Sequence, residues 1–318
     1  MQANMGLVGE FRCVVKRADG STKIDTGYQK NLILNQGLDF FGGGNGEDMM
    51  QYCVIGSGNS TPTVTQTTLD SIIKQATITA PTYKYDYNQI IDGNLYKPNK
   101  VGKYSFTNID NVNVSELGLA SLYNSNTSYY LCTRALIKDS NGNPTTITVL
   151  SGEQLDIYYK LWCVIDISDT TGVVNVSDGI GGMVPYNYVV RASDVGYSIE
   201  ASGQIGRVLK LYLFTKISTY SGDLATIQNR PSNQLGLVTP TNPTYILGSY
   251  KYKATAVFGT SVSNGNIRTI TFADINSSYM PFQIRFGSVA NDSPITKTNT
   301  QTLTIPFEIS WGRYEGAL

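Results

Sequence analysis

Few side chains in this sequence are spaced for chemistry. The chain has no histidine, which removes Ser-His-Asp and Cys-His nucleophilic catalysis as well as imidazole metal ligands. Ser71 and Lys74 form an S-x-x-K pattern, the nucleophile pattern that remains without histidine, but no K-T-G segment accompanies it. The sequence therefore favours a protein that is not an enzyme.

Paired carboxylates are the next chemistry to consider, because a glycosidase needs two acidic side chains across a cleft. Nothing in the pattern brings two of the 24 acidic residues together. A polysaccharide depolymerase remains an alternative, although such enzymes are usually long parallel β-helices with coil repeats, which this sequence lacks. The candidate carboxylates are Glu47, Asp48, Asp86, Glu116 and Asp156.

Two segments match only the first part of a ligand-binding motif. Gly56 and Gly58 start a G-x-G-x-x-G pattern, but Thr61 replaces the third glycine. The segment from Asp139 resembles a calcium loop, but its glycine comes at the fourth position and its twelfth residue is Leu150. Both segments are predicted to be turns, and we expect no catalytic residue, no cofactor and no metal.

The four cysteines are not spaced for a C-x-x-C metal or redox motif. Three of them stand in apolar, strand-like runs, which predicts buried free thiols that act as small hydrophobic side chains. One disulfide pair remains an alternative. The four are Cys13, Cys53, Cys132 and Cys163.

Charge and hydropathy limit the partners. The formal net charge is zero and charged residues make up 15% of the chain, so no basic excess is available for phosphate binding and no nucleic-acid partner is expected. No stretch approaches the roughly 18 apolar residues of a membrane span, and the first 15 residues lack the basic region of a signal peptide. We expect no membrane insertion, and synthesis in the cytoplasm.

Composition and alternation predict the fold. The chain has 22 Tyr and 31 Gly, and short alternating runs are separated by turn residues, as in antiparallel sandwiches. A shift to small polar residues at 166–182 predicts a domain boundary. We therefore expect an all-β fold of two antiparallel β-sandwich domains, jelly-roll or Ig-like, with minor short helices. Residues 1–165 would form the assembly domain, and residues 166–318 an assembly or receptor-facing domain.

Local signals predict several elements of the first half. Residues 8–18 are expected to form a strand that turns at Asp19-Gly20-Ser21 into a hairpin. A short helix is expected within 27–41 and a buried strand at 52–56. Residues 67–75 are expected to form a short helix or an extended arm.

Residues 80–100 are polar, rich in Tyr and bounded by Pro, which predicts an extended, exposed excursion. Tyr83, Tyr85 and Tyr87 alternate with polar residues, so one face would be a row of Tyr; Tyr96 lies further along. Tyr suits interfaces because it buries a large area with little loss of entropy. We predict that these four side chains contact a neighbouring subunit or a host receptor, and a strand packed on its own domain is the alternative. Trp162 and Trp311 are predicted to be core residues.

Several sequence landmarks follow one another in the first half of the chain. They are NLILNQGL at 31–38, YCVIGSGNSTP at 52–62, VSELGL at 114–119, CTRALI at 132–137 and LDIYY at 155–159. Their order resembles that of structural proteins of tailed bacteriophages, namely tail, collar and fibre-type proteins with a β-sandwich body, and LTIPFEISWGRY at 303–314 resembles the final strand of such proteins. The landmarks are structural and transfer no catalytic residue.

The resemblance implies a place in the virion and repeated copies of the chain. The expected partners are the protein itself, as a trimer or a ring, and other tail or neck proteins of the virion. A receptor-binding tail fibre or spike protein, which would bind a host surface receptor, is the first alternative. The depolymerase is the second, and an adhesin or lectin-like β protein is a further one.

Overall fold

The computed structural model describes residues 2–42, 49–78, 86–122, 129–177, 181–195, 216–241, 245–273 and 282–318. Strands hold 57% of the residues and helices 4%. The prediction of an all-β fold is therefore confirmed. The chain divides into two compact units, of which unit 1 contains Met1–Met5, Gln89–Lys97 and Ile165–Trp311, and unit 2 contains Gly6–Asn88, Pro98–Val164 and Gly312–Leu318. The roles assigned above to residues 1–165 and 166–318 stay predictions.

The elements up to residue 166 are one short helix and fourteen strands in the described residues. They are β1 (Gln2–Lys16), β2 (Thr22–Asp25), β3 (Gln29–Lys30), β4 (Leu32–Ile33), α1 (Asn35–Phe40), β5 (Tyr52–Gly56), β6 (Ile72–Thr77), β7 (Asp86–Asp92), β8 (Leu95–Phe106), β9 (Val112–Val114), β10 (Glu116–Leu122), β11 (Tyr129–Leu131), β12 (Thr133–Leu136), β13 (Ile147–Val149) and β14 (Gln154–Asp166).

The remaining described elements are ten strands. They are β15 (Thr170–Ser177), β16 (Met183–Ala192), β17 (Lys216–Tyr220), β18 (Gln234–Val238), β19 (Lys251–Phe258), β20 (Gly265–Ile267), β21 (Thr269–Ala273), β22 (Phe282–Ser288), β23 (Ile295–Lys297) and β24 (Leu303–Arg313).

In unit 2 one sheet has the order β4-β12-β10-β5-β6, and β1, β14 and β8 are consecutive neighbours in another. The pleat explains the alternation in the sequence, since Leu155, Ile157 and Tyr159 of β14 are fully buried on one face. The cluster of Leu34, Val54, Leu69, Ala120 and Leu131 forms part of the core.

The first hairpin is confirmed. Strands β1 and β2 pair antiparallel, with Val14 opposite Asp25. The backbone N–H of Ser21 donates to the Asp19 side chain over 2.8 Å. Gly20 has a positive φ of 84°, which glycine adopts without steric cost.

Two predictions for the first half need correction. Residues 67–75 form no helix: 72–75 are extended, as the second alternative expected, but they belong to β6, which pairs antiparallel with β5 and is therefore no arm. The exposed excursion at 80–100 is wrong for its last part, because residues 96–100 are all buried. The reason is that β8 lies between β14 and β7 in the sheet order, so this polar stretch is an internal strand.

Unit 1 contains a sheet with the order β15-β16-β22-β21-β17-β18 and the antiparallel pair of β19 and β24. Strands β15 and β16 pair over eight consecutive residues without a bulge, from Thr170 opposite Val190 to Ser177 opposite Met183. β15 and β18 are the two outermost strands of this sheet.

Candidate functional site

The most elaborate polar site in the described residues lies beneath the segment 57–71 of unit 2, here called the 57–71 loop, which connects β5 to β6. Glu116 begins β10 and Arg134 lies on the neighbouring strand β12. Both side chains are fully buried. The Arg134 Nη2 lies 2.8 Å from the Glu116 Oε2, and the Arg134 Nε donates to the same oxygen over 3.0 Å.

Arg134 also reaches the loop itself. Its Nη2 donates to the Asp70 Oδ2 over 2.7 Å, and its Nη1 donates to the Ser60 Oγ over 3.1 Å. Asp70 in turn accepts the backbone N–H of Ser60 over 2.9 Å and the Ser60 hydroxyl over 2.8 Å. These bonds from Ser60, together with the Arg134 charge, lower the pKa of the Asp70 carboxyl.

The Glu116 carboxylate replaces the strand partners that the loop backbone lacks. It accepts the N–H groups of Gly58 over 2.9 Å, Ser71 over 2.9 Å and Asp70 over 3.2 Å. A Cβ on Gly58 would lie 2.4 Å from the Glu116 Oε1. Glycine is therefore required there, because the carboxylate occupies the space of a side chain.

This arrangement is suited to holding a loop. Five N–H groups of Gly58, Asp70, Ser71 and Arg134 are directed at the two oxygens of the Glu116 carboxylate, so its capacity to accept hydrogen bonds is used within the chain. We call Ser60, Asp70, Glu116 and Arg134 the loop clamp.

The loop clamp joins the sequence landmarks at 52–62, 114–119 and 132–137 and extends them to Asp70. The sequence did not lead to a prediction of the loop clamp, although two lone charges in apolar segments pointed to it. Glu116 and Arg134 are the single charges in VSELGL and CTRALI. Charged side chains are almost never fully buried unless they are paired, so two opposite lone charges in apolar strands indicate partners.

Of the other candidate carboxylates, only Asp156 has a described side chain, and it binds partners other than Glu116. Asp156 of β14 has its own partners: Ser105 and Gln154 donate to it, and the ammonium of Lys103 lies 3.0 Å away. Burial acts to raise the pKa of Asp156, but these partners outweigh it and lower the pKa. Glu47 and Asp48 lie outside the described residues, as does the side chain of Asp86.

The motif-like segments are structural. Lys74 donates to the carbonyl groups of Thr107 and Asn108, while the Ser71 hydroxyl bonds to Ser57, so these two side chains have separate partners. The side chain of Asp139 accepts the N–H groups of Asn141 and Asn143 and closes its own turn.

All four cysteines are buried free thiols, as the sequence predicted. Burial raises the pKa of the Cys163 thiol to about 12 and raises the pKa values of the other three. The reactive thiolate is therefore disfavoured. Trp162 and Trp311 are buried, which confirms their assignment to the core.

The four candidate tyrosines are placed only in part. Tyr83 and Tyr85 lie outside the described residues, and Tyr87 belongs to β7 but its side chain is not described. Tyr96 is buried, with 3% of its surface exposed, and its hydroxyl donates to Gln89 over 2.9 Å. Its ring is therefore not available at the surface of the single chain, and the contact role of the other three stays a prediction.

Comparison with known proteins gives no match: no family model, no curated protein and no solved structure matches the chain. Within the described ranges, no helix is long and apolar enough to cross a membrane. The same ranges contain no group of three or more His, Cys, Asp or Glu side chains that could hold a metal ion.

Proposed function

We propose that this chain is a structural, non-enzymatic component of a tailed-bacteriophage virion that assembles with copies of itself and with other virion proteins. The observation that carries the assembly proposal is the edge strand β15. The landmarks at 31–159 carry the assignment to a virion, because their order resembles that of tail, collar and fibre-type proteins.

Strand β15 has the features of an open pairing edge. Its eight residues contain no charge and no proline, and within the described chain it pairs with β16 alone. Its exposed residues include Val173, of which 60% is exposed. Soluble proteins usually protect such an edge with lysine, proline or a bulge. An unprotected edge of this length favours pairing with another chain, and repeated copies need such a surface.

The loop clamp also supports a structural role, because its side chains bind one another and the loop backbone. Among the described candidates, Glu116 and Asp139 hold backbone N–H groups, and the four cysteines are buried thiols of raised pKa. A virion component must keep its shape through assembly and release, and rigid loops serve that purpose.

We also propose the finer architecture, in which each unit is an antiparallel β-sandwich of the jelly-roll or Ig-like kind. In unit 2 the Tyr159 hydroxyl of β14 lies 2.8 Å from the Thr133 Oγ1 of β12, which links strands of two different sheets. In unit 1 the rings of Phe272 in β21 and Phe307 in β24 lie 4.4 Å apart, again between strands of two sheets. Such contacts between inner faces are typical of sandwiches.

The test is the oligomeric state of the purified protein by light scattering over a range of concentrations. Wild type is expected to self-associate. Val173→Lys places a charge on the edge strand, where two copies would bring like charges together, and should lower the association constant by roughly tenfold or more.

Val289→Lys is the matched control, since Val289 is also exposed in unit 1 but lies outside the strands. It adds the same charge and should leave association unchanged. A wild-type protein that stays monomeric at every concentration would contradict self-assembly. Equal association of the two lysine variants would exclude β15 as the contact.

A further inference from the structure

Unit 1 contains a cavity of about 210 Å³ to which the proposed function assigns no ligand, although two of its lining residues, Val176 and Ser177, belong to β15. Its lining combines hydroxyl and amide side chains with apolar ones and contains a single charged residue, Lys297. The remaining lining residues are Val176, Ser177, Val184, Tyr186, Ser293, Pro294, Ile295, Thr296, Gln301, Thr302 and Leu303. The described lining residues therefore carry one positive charge and no negative charge.

Lys297 is buried, and the described part of the chain provides no counter-ion for it. Only 2% of its surface is exposed, and its Nζ donates to the Asn264 Oδ1 over 2.8 Å and to the Thr298 carbonyl oxygen over 3.4 Å. Both acceptors are neutral, and among the described residues no carboxylate lies within 4.0 Å of the ammonium. Burial lowers the pKa of this ammonium. An ammonium has three N–H donors, so these two bonds leave one unused.

Lys97 provides a comparison within the same unit. It is equally buried at 2%, but its Nζ donates to the Asp92 carboxylate over 2.8 Å. Buried charges are normally paired in this way, because removing an unpaired charge from water is costly. Among the described residues, Lys297 is therefore an exception, a buried ammonium at the wall of a cavity with no carboxylate partner, and an anion bound in the cavity would supply one.

We propose that this cavity binds a small hydroxylated carboxylic acid, of the size of a single sugar acid, whose carboxylate pairs with Lys297. The volume is below the range of about 300–1,000 Å³ that is typical for drug-sized ligands, so the ligand is one small unit. Thr302 and Ser293 provide hydroxyls that can bond to the ligand's hydroxyl groups. Val176 and Leu303 provide apolar surface for its ring carbons.

Isothermal titration calorimetry with glucuronate and glucose tests this site. The two sugars share a ring and differ at the carboxylate, so glucuronate should bind wild type at least roughly tenfold more tightly than glucose, as expected for a charge-assisted bond. Lys297→Met should remove this preference. Lys253→Met is the control, because Lys253 is 66% exposed in the same unit, and it should bind glucuronate as wild type does.

Thermal unfolding without ligand checks the fold of each variant. Methionine is similar in length to lysine and removes the buried charge, so Lys297→Met should unfold at the wild-type temperature or above it. Equal binding of the two sugars, no binding of either, or an unchanged preference in Lys297→Met would overturn the proposal. The comparison of sugars in wild type needs no variant. Because the titration measures binding in a monomer or an assembly alike, failure of the virion proposal would leave this result intact.

Discussion

The 57–71 loop and strand β15 differ in the hydrogen-bond partners of their backbone groups. The loop is irregular, yet the buried Glu116 accepts three of its N–H groups and Arg134 anchors its side chains. β15 is a regular strand, yet within the described chain it pairs on one side only. Backbone groups need partners wherever water is excluded. These loop N–H groups therefore have partners within the chain, while one side of β15 has no strand partner in the described residues.

Under the proposed function, this difference separates a region that stabilises the chain from a region that assembles. Changes in the loop clamp should alter stability, because they leave a buried charge unpaired. Changes on β15 should alter association and leave stability almost unchanged, because its exposed side chains make few contacts to lose.

Arg134→Met should have the largest effect on stability. It leaves the fully buried Glu116 without its cation and should lower the free energy of unfolding by about 3–5 kcal/mol, as measured by urea denaturation. Arg191→Met is the control, because Arg191 pairs with Asp169 at the surface, where both side chains are about one-third exposed. It should cost about 0–1 kcal/mol. Equal losses in the two variants would show that the loop clamp has no special role.

Acid should weaken the loop clamp by a smaller amount. The folded pKa of Asp70 lies below the unfolded value of about 3.9. Its contribution is therefore present above that unfolded value and is lost as the pH falls through the folded pKa. Asp70 is about one-third exposed, so solvent screening keeps the effect near 1 kcal/mol or less.

Unfolding free energies of wild type and Asp70→Asn between pH 6 and pH 2 measure this contribution. Wild type should be the more stable at pH 6, and the difference should shrink as the pH falls. If the difference in free energy of unfolding between the two proteins stayed constant from pH 6 to pH 2, the Asp70 carboxylate would not contribute to the loop clamp.

Signals that depend on neighbouring residues in the sequence were sufficient for part of the fold. The apolar run at 52–56 predicted β5, Asp19-Gly20-Ser21 predicted the first turn, and the apolar surroundings of the cysteines predicted buried thiols. In each case the residues that decide the structure lie within a few positions of one another.

Contacts that depend on the order of strands in a sheet could not be predicted from the sequence. Arg134 meets Glu116 because β12 pairs with β10, and it meets Asp70 because the 57–71 loop passes over both strands. Residues 96–100 look exposed from their Lys, Asn and Pro content, yet β8 is an internal strand. Lys97 is buried there because Asp92 is available to pair with it. Long-range pairing decides each of these outcomes, and composition does not encode it.

Hydrogen–deuterium exchange at several protein concentrations tests the central claim most directly. Assembly through β15 predicts that amides at 170–177 become more protected as concentration and association rise, while amides of the 57–71 loop keep the same protection throughout. Val173→Lys should abolish the change at 170–177. Association without any change of exchange at 170–177 would contradict the account.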